Sequence, residues 1–228
     1  YGAGYEVTTP IIVGDMLILS ATCGDIYCFD RYDGTLLHTL YIDYKPPMDD
    51  EGTILWDAEI FVTGATTPVY DSGALYFGSA DGKVYCYSIS KEKAERIWMY
   101  QTNGSIYYVK PTFATINGER ILYIGNYEGN VYAINAHTGS LIWNEQVVNY
   151  LPEGKMYLGS VDSISIAPEN IIVCCSDGSM SKTDGYMLML DPLTGEEIWK
   201  HEYLTSNPVI QEDGFIFYHN LSVYKLDW

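Results

Sequence analysis

Three sets of residues in this 228-residue sequence have types and spacing that could do chemistry. The first is acidic, interleaved with aromatics. Asp43, Asp49, Asp50, Glu51, Trp56 and Asp57 fall in one stretch, Tyr157 and Asp162 in a second, Asp177 and Asp184 in a third. Carboxylate oxygens of this kind hold calcium, and acids beside aromatics also suit a cationic peptide or a sugar. Asp49-Asp50-Glu51-Gly52 lacks EF-hand spacing, so calcium has no dedicated loop here. Two of these carboxyls could serve glycoside hydrolysis only if separate segments bring them together, and sequence cannot show that. The second set is the vicinal pair Cys174-Cys175, which could do redox chemistry. It lies in the apolar run IIVCCS, read as a strand, where neighbours face opposite sides. The third is the four histidines His38, His137, His201 and His219. No two have metal-ligand spacing, and neither His38 nor His137 is placed to serve a nucleophile. There is no GxSxG, HExxH or phosphate-binding loop.

The elements that must position these groups repeat. The organising stretch is GNVYAINAHTGSLIW, Gly129 to Trp143. Its relatives are GDIYCFDRYDGTLLH from Gly24, GKVYCYSISKEKAERIW from Gly82 and GYMLMLDPLTGEEIW from Gly185; LSVYKLDW, Leu221 to Trp228, begins a fifth. Before each comes an apolar strand: MLIL, ALYF, ILYI, IIVC and FIFY. Before that comes a short strand near a proline (Pro10, Pro68, Pro111, Pro208; Ser165 in the fourth unit) and a turn such as Gly14-Asp15 or Asn117-Gly118.

Short strands with regular turn signals predict an all-β chain. A four-strand unit recurring every few tens of residues predicts the blades of a β-propeller. The blades are expected at about 8–40, 66–100, 109–148, 163–203 and 206–228, in a single domain covering 1–228. Tyr1 lies nine residues before Pro10, as Trp199 lies nine before Pro208. Residues 1–7 are therefore expected to supply the outer strand of the fifth blade, closing the ring and removing an exposed sheet edge. Blade strands run alternately inward and outward, so the three acidic stretches share one rim, the usual place for function on a rigid scaffold.

From its third strand to its Trp, each unit resembles the PQQ-like β-propeller repeat of quinoprotein dehydrogenases and of the bacterial outer-membrane assembly lipoprotein. That resemblance implies a docking motif of Ala, Asp two residues on, Thr-Gly and Trp. It falls on Ala133, Asn135, Thr138, Gly139 and Trp143, and on Met189, Asp191, Thr194, Gly195 and Trp199. The first unit keeps Asp30 and Gly34 but has Cys28, Asp33 and, in the Trp place, His38; the second keeps Trp98 but has a Lys-rich turn instead of Thr-Gly. Asp or Asn caps the turn, Gly permits positive φ, and Trp packs on the neighbouring blade. These are scaffold residues. The dehydrogenases use about eight blades, a calcium, a catalytic Asp and a vicinal cysteine pair, and no Asn, Asp and Arg constellation follows Cys174-Cys175. PQQ is not expected as a cofactor.

Bulk properties agree with a scaffold. The net charge of -18 argues against nucleic acid, which needs a basic footprint, and leaves cationic partners open. No apolar run approaches membrane-span length. Five cysteines without paired CxxC spacing read as small core hydrophobes, and the 22 tyrosines lean towards a secreted, periplasmic or cell-surface β protein. Asn103-Gly104-Ser105 and Asn220-Leu221-Ser222 are glycosylation sequons, meaningful only in a glycosylating host. The expected function is a non-enzymatic ligand-binding or protein-interaction module, extracytoplasmic, either a monomer or a domain of a larger protein. It would use Asp49, Asp50, Glu51, Trp56, Asp57, Tyr157, Asp162, Asp177 and Asp184. A quinoprotein-type oxidoreductase, a glycan-active enzyme and a purely structural domain are the alternatives.

Overall fold

In a computed structural model, the described residues are 8–20, 25–42, 65–107, 109–148, 159–176, 185–202, 209–211, 214–219 and 222–227. They fall into two compact units, Tyr1–Lys110 and Pro111–Trp228. Every element is a β-strand.

Unit 1 holds two four-stranded antiparallel sheets, each in chain order. The first is β1 (Ile11–Val13), β2 (Met16–Ser20), β3 (Ile26–Asp30) and β4 (Leu36–Leu40). The second is β5 (Val69–Asp71), β6 (Ala74–Gly78), β7 (Lys83–Ile89) and β8 (Ala94–Gln101). Unit 2 holds β9 (Thr112–Ile116), β10 (Glu119–Gly125), β11 (Asn130–Asn135) and β12 (Leu141–Gln146), then β13 (Val161–Ile166), β14 (Ile171–Ser176), β15 (Gly185–Leu190) and β16 (Glu197–Glu202). A three-stranded sheet follows, with β17 (Val209–Gln211), β18 (Gly214–His219) and β19 (Ser222–Asp227). These meanders lie along the chain where blades 1 to 5 are expected and are numbered accordingly. The closing strand expected at residues 1–7 lies outside the described residues.

Burial explains which residues make which strand. β2 alternates, with Met16, Ile18 and Ser20 buried. β6 is buried at every position, as are Leu122 to Gly125 of β10 and Ile171 to Cys175 of β14. A short apolar run bounded by turns is what a strand covered on both faces requires. In unit 1 the core centres on Ile18, Ile26, Leu75, Phe77 and Tyr85. Phe77 stacks on Tyr85 and Tyr87 with centroids 5.1 and 5.9 Å apart. In unit 2 Leu122, Tyr123, Ile124, Val131 and Ile134 are fully buried.

Sheets within a unit meet closely. Ser20 Oγ donates to the Ala65 and Thr66 carbonyls, joining blade 1 to blade 2. Val161 N donates to Asn126 O at 3.2 Å, joining blade 4 to blade 3. A Cβ on Gly125 would lie 2.2 Å from Val161 Cγ1, so blade 3 ends its second strand in glycine because blade 4 already fills the space.

The hairpin from third to fourth strand repeats one irregularity. Register shifts between Cys28 and Phe29, Cys86 and Tyr87, Ala133 and Ile134, and Met189 and Leu190. The residue before each shift faces His38, Trp98, Trp143 or Trp199 across the strands. His38 thus occupies the Trp place of blade 1 by register, and not by spacing alone.

Candidate functional site

The turns that end the third strands are built alike. Gly34, Gly139 and Gly195 N donate to Asp30, Asn135 and Asp191 O, each at 2.9 Å. The φ angles of these glycines are 75°, 73° and 80°, the left-handed region that other residues enter at a cost. The acidic or amide side chain caps the turn. Asp30 Oδ1 accepts from Tyr32 N, Asn135 Oδ1 from His137 and Thr138 N, and Asp191 Oδ1 from Leu193 and Thr194 N. Thr138 Oγ1 lies 2.7 Å from Ser140 Oγ.

In unit 2 the blade 4 turn receives Trp143. Its Nε1–H donates to Pro192 O at 3.0 Å, and Tyr123 Oη donates to the same carbonyl at 2.8 Å. Burial pushes the Tyr123 hydroxyl well above its usual range, with the Asp191 carboxylate adding to the shift, so it stays a donor at neutral pH. Trp199 and Ile210 both pack, partly buried, against the cluster of Ala167, Ile172, Cys174, Met187 and Met189. Trp98 is buried and lies 5.9 Å from Tyr76, ring centre to ring centre.

In unit 1 the equivalent seam is polar. His38 Nε2 sits 2.8 Å from Ser90 O; a carbonyl only accepts, so this nitrogen carries the hydrogen. Lys91 Nζ donates to Asp30 Oδ2 at 2.6 Å in a part-buried pair, and that bond holds the Asp30 carboxyl below its usual range. The Lys-rich turn of blade 2 therefore supplies by charge what Thr-Gly and Trp supply elsewhere.

On the opposite rim, Asp162 is the member of the expected ligand-binding set that falls among the described residues. It opens to solvent near the start of β13. Ser160 Oγ donates to its Oδ1 at 2.8 Å, and Ser160 and Ser176 hydroxyls lie 2.8 Å apart. Crowding by surrounding atoms raises its carboxyl above the usual range, while the two serines pull it back. Asp49, Asp50, Glu51, Trp56, Asp57, Tyr157, Asp177 and Asp184 lie outside the described residues.

Asp81 is a rim carboxylate that the sequence reading passed over. It accepts from Tyr85 Oη at 2.6 Å and Lys83 N at 3.0 Å, and lies 3.3 Å from Lys83 Nζ. Its signal was positional: it occupies the turn from second to third strand, the turn that carries the insertions elsewhere. Among the described residues no three His, Cys, Asp or Glu could share a metal ion.

The four cysteines among the described residues, Cys28, Cys86, Cys174 and Cys175, are buried and form no disulfide with one another. Burial pushes the Cys28 and Cys174 thiols up to about 12 and Cys86 to about 11; Cys175 also lies well above its usual value. The nearby Ser163 hydroxyl offsets part of the Cys174 shift. Thiolate is the reactive form, so iodoacetamide at pH 8 is expected to leave all four unmodified in the native chain and to label all four in denaturant. Peptide mapping checks this; native labelling of Cys174 or Cys175 at the denatured rate would show the pair to be open.

Comparison with known proteins follows this geometry. Residues 48–227 match the family described as outer membrane protein assembly factor BamB. The chain belongs to this family. A BamB from Bordetella pertussis (strain Tohama I) is 24% identical over 172 residues, 74% of this chain and 42% of that protein. The chain thus spans about two fifths of the length of the curated relative it matches. Among solved structures, BamB from Moraxella catarrhalis aligns over 94% of this chain and 70% of its own at a TM-score of 0.53 and 14% identity. The quinohemoprotein alcohol dehydrogenase ADHIIG from Pseudomonas putida HK5 aligns over 91% of this chain and 48% of its own at 0.62 and 14% identity. The corresponding enzyme from Comamonas testosteroni gives 98%, 41%, 0.61 and 16% identity. At these identities the likeness concerns the fold: all-β, built from PQQ-like propeller blades. The vicinal cysteine pair is part of the core: Cys174 lies in a cluster with Ile172, Met187 and Met189, and Cys175 is 3% exposed.

Proposed function

We propose that this chain is a non-enzymatic propeller scaffold that binds protein partners outside the cytoplasm, in the assembly of outer membrane proteins. The family match over residues 48–227 carries this reading. The docking turns, buried thiols and capped carboxylates support it, because each is satisfied by its own scaffold and leaves no activated nucleophile or convergent acid pair among the described residues. The partner face is the rim that bears the insertions. Its acids, on a chain of net charge -18, favour a basic partner surface and a salt-dependent on-rate. Two experiments test the reading. In the organism that encodes the chain, deleting the gene should lower the amount of folded outer membrane barrels, seen as heat-modifiable bands. Neutralising Asp49, Asp50, Glu51 and Asp57 to amides should reproduce that loss while the protein keeps its far-UV circular dichroism. Unchanged barrel levels on deletion would sink the proposal.

The second reading is a quinone-dependent oxidoreductase, favoured by the likeness to the two alcohol dehydrogenases. Purified chain given pyrroloquinoline quinone, calcium and primary alcohols should show no dye-linked turnover. Turnover that a chelator removes would establish this reading instead.

A further inference from the structure

Asn-Gly occurs at Asn103-Gly104 and at Asn117-Gly118, and the fold holds the two dipeptides differently. Asn117-Gly118 is the two-residue turn of the β9–β10 hairpin, with φ of 52° and 82° and Ile116 paired to Glu119 across it. Positive angles at both positions mark the tight hairpin turn that favours Asn-Gly. Asn103 lies past Gln101, the last paired residue of β8, on the rim that bears the insertions. Thr102 N donates to Gly82 O at 2.8 Å on one side of it, and Ile106 N donates to Ser79 O at 3.0 Å on the other. Between these anchors Asn103 is exposed, and Gly104 N donates to Thr102 Oγ1 over a long 3.4 Å.

We propose that Asn103 is a site of spontaneous deamidation, which turns its amide into a carboxylate on the insertion rim. The Gly104 nitrogen gives its proton to solvent base and attacks Asn103 Cγ. The new C–N bond closes a five-membered imide, the Cγ–Nδ2 bond breaks, and ammonia leaves. Water then opens the ring at either carbonyl, giving aspartate or isoaspartate, with no change of oxidation state. Glycine leaves the attacking nitrogen accessible, because it has no Cβ in the way. Ring closure also needs rotation about the Asn Cα–C bond. At Asn117 that bond is the centre of the hairpin turn, so rotating it breaks the pairing of Ile116 with Glu119. At Asn103 it lies outside the ladder, between anchors that hold while the bend moves. The product puts its charge near the Asp81 turn, since Ser105 Oγ donates to Ala80 O at 2.9 Å. The rim thus grows more acidic as the chain ages. This inference does not depend on the proposed function.

The test incubates the full chain in mildly alkaline buffer, folded and in denaturant, and follows both dipeptides by peptide mass mapping. An isoaspartyl methyltransferase reports the isoaspartate. In denaturant the two sites should convert at similar rates, because the dipeptides are the same. In the folded chain Asn103 should convert roughly 10-fold faster than Asn117, since opening the hairpin costs more than moving the bend. Asn103→Gln, whose longer side chain closes a less favoured six-membered ring, should remove most of the acidic species resolved by ion exchange. Equal rates in the folded chain, or Asn117 ahead, overturn the proposal. So does an acidic species that accumulates as fast in Asn103→Gln, or a glycan already on Asn103 Nδ2 in chain purified from its own source.

Discussion

Replacing Trp143 with alanine is expected to lower the unfolding free energy by about 3–5 kcal/mol, the range for deleting a buried large aromatic. Trp143 is 8% exposed and lies 6.0 Å from Tyr123, ring centre to ring centre. It also joins two sheets, because its donor reaches Pro192 O in the next blade. Trp143→Phe separates the contributions. It keeps most of the ring area and loses the N–H, and Pro192 O still accepts from Tyr123. The loss should then shrink to roughly 1–2 kcal/mol, a hydrogen bond plus a small packing defect. Urea unfolding followed by circular dichroism measures both. A phenylalanine variant as unstable as the alanine variant would mean that the hydrogen bond, and not the packing, holds the seam.

Gly195→Ala is expected to cost about 2–4 kcal/mol, from two sources. The φ of 80° disfavours any Cβ, and this Cβ would lie 2.7 Å from Trp143 Cε3, in a seat with no room to give. Gly34→Ala is the matched control. Its φ is 75° and its Cβ meets nothing within 4 Å, so only backbone strain remains, about 1 kcal/mol. The difference between the variants measures the docking contact itself. Equal losses would show that the indole adds nothing to the turn.

Much of this could be read from residue order. Alternation in MLILS, unbroken apolar runs in ALYFG and IIVCC, and glycines at fixed offsets are local signals, and local sterics and burial translate them directly into strands and turns. The turn-capping role of Asp30, Asn135 and Asp191 was legible for the same reason, since a short acceptor side chain bonds its own backbone two or three residues on. Cys86, Ala133 and Met189, the residues opposite each Trp, were legible as one repeat position, although their cross-strand pairing was not.

What sequence could not supply was anything that depends on a second sheet. Nothing in the text of blade 1 reveals that His38 reaches Ser90 O or that Lys91 grips Asp30 across the seam. Asp81 is a different case: Lys83 and Tyr85 converge on it from two and four residues along the same strand, a local pattern that the sequence reading passed over. The acidic stretches advertised a rim by composition alone; of the expected ligand set, Asp162 is the member whose surroundings are described, and Ser160, just before β13, and Ser176, the last residue of β14, meet beside its carboxylate.

The sequence by itself determined the unit of construction: an all-β chain of repeated blades, with a capped glycine turn in blades 1, 3 and 4 and a Trp on the outer strand of blades 2, 3 and 4. Those features follow from periodicity and from φ preferences within a few residues. Only the tertiary structure decided that Trp143 seats on the blade 4 turn and that Pro192 O serves Tyr123 and Trp143 together. Hydrogen bonds and van der Waals contacts act over a few ångströms in space, and the partners in these contacts stand tens of residues apart along the chain.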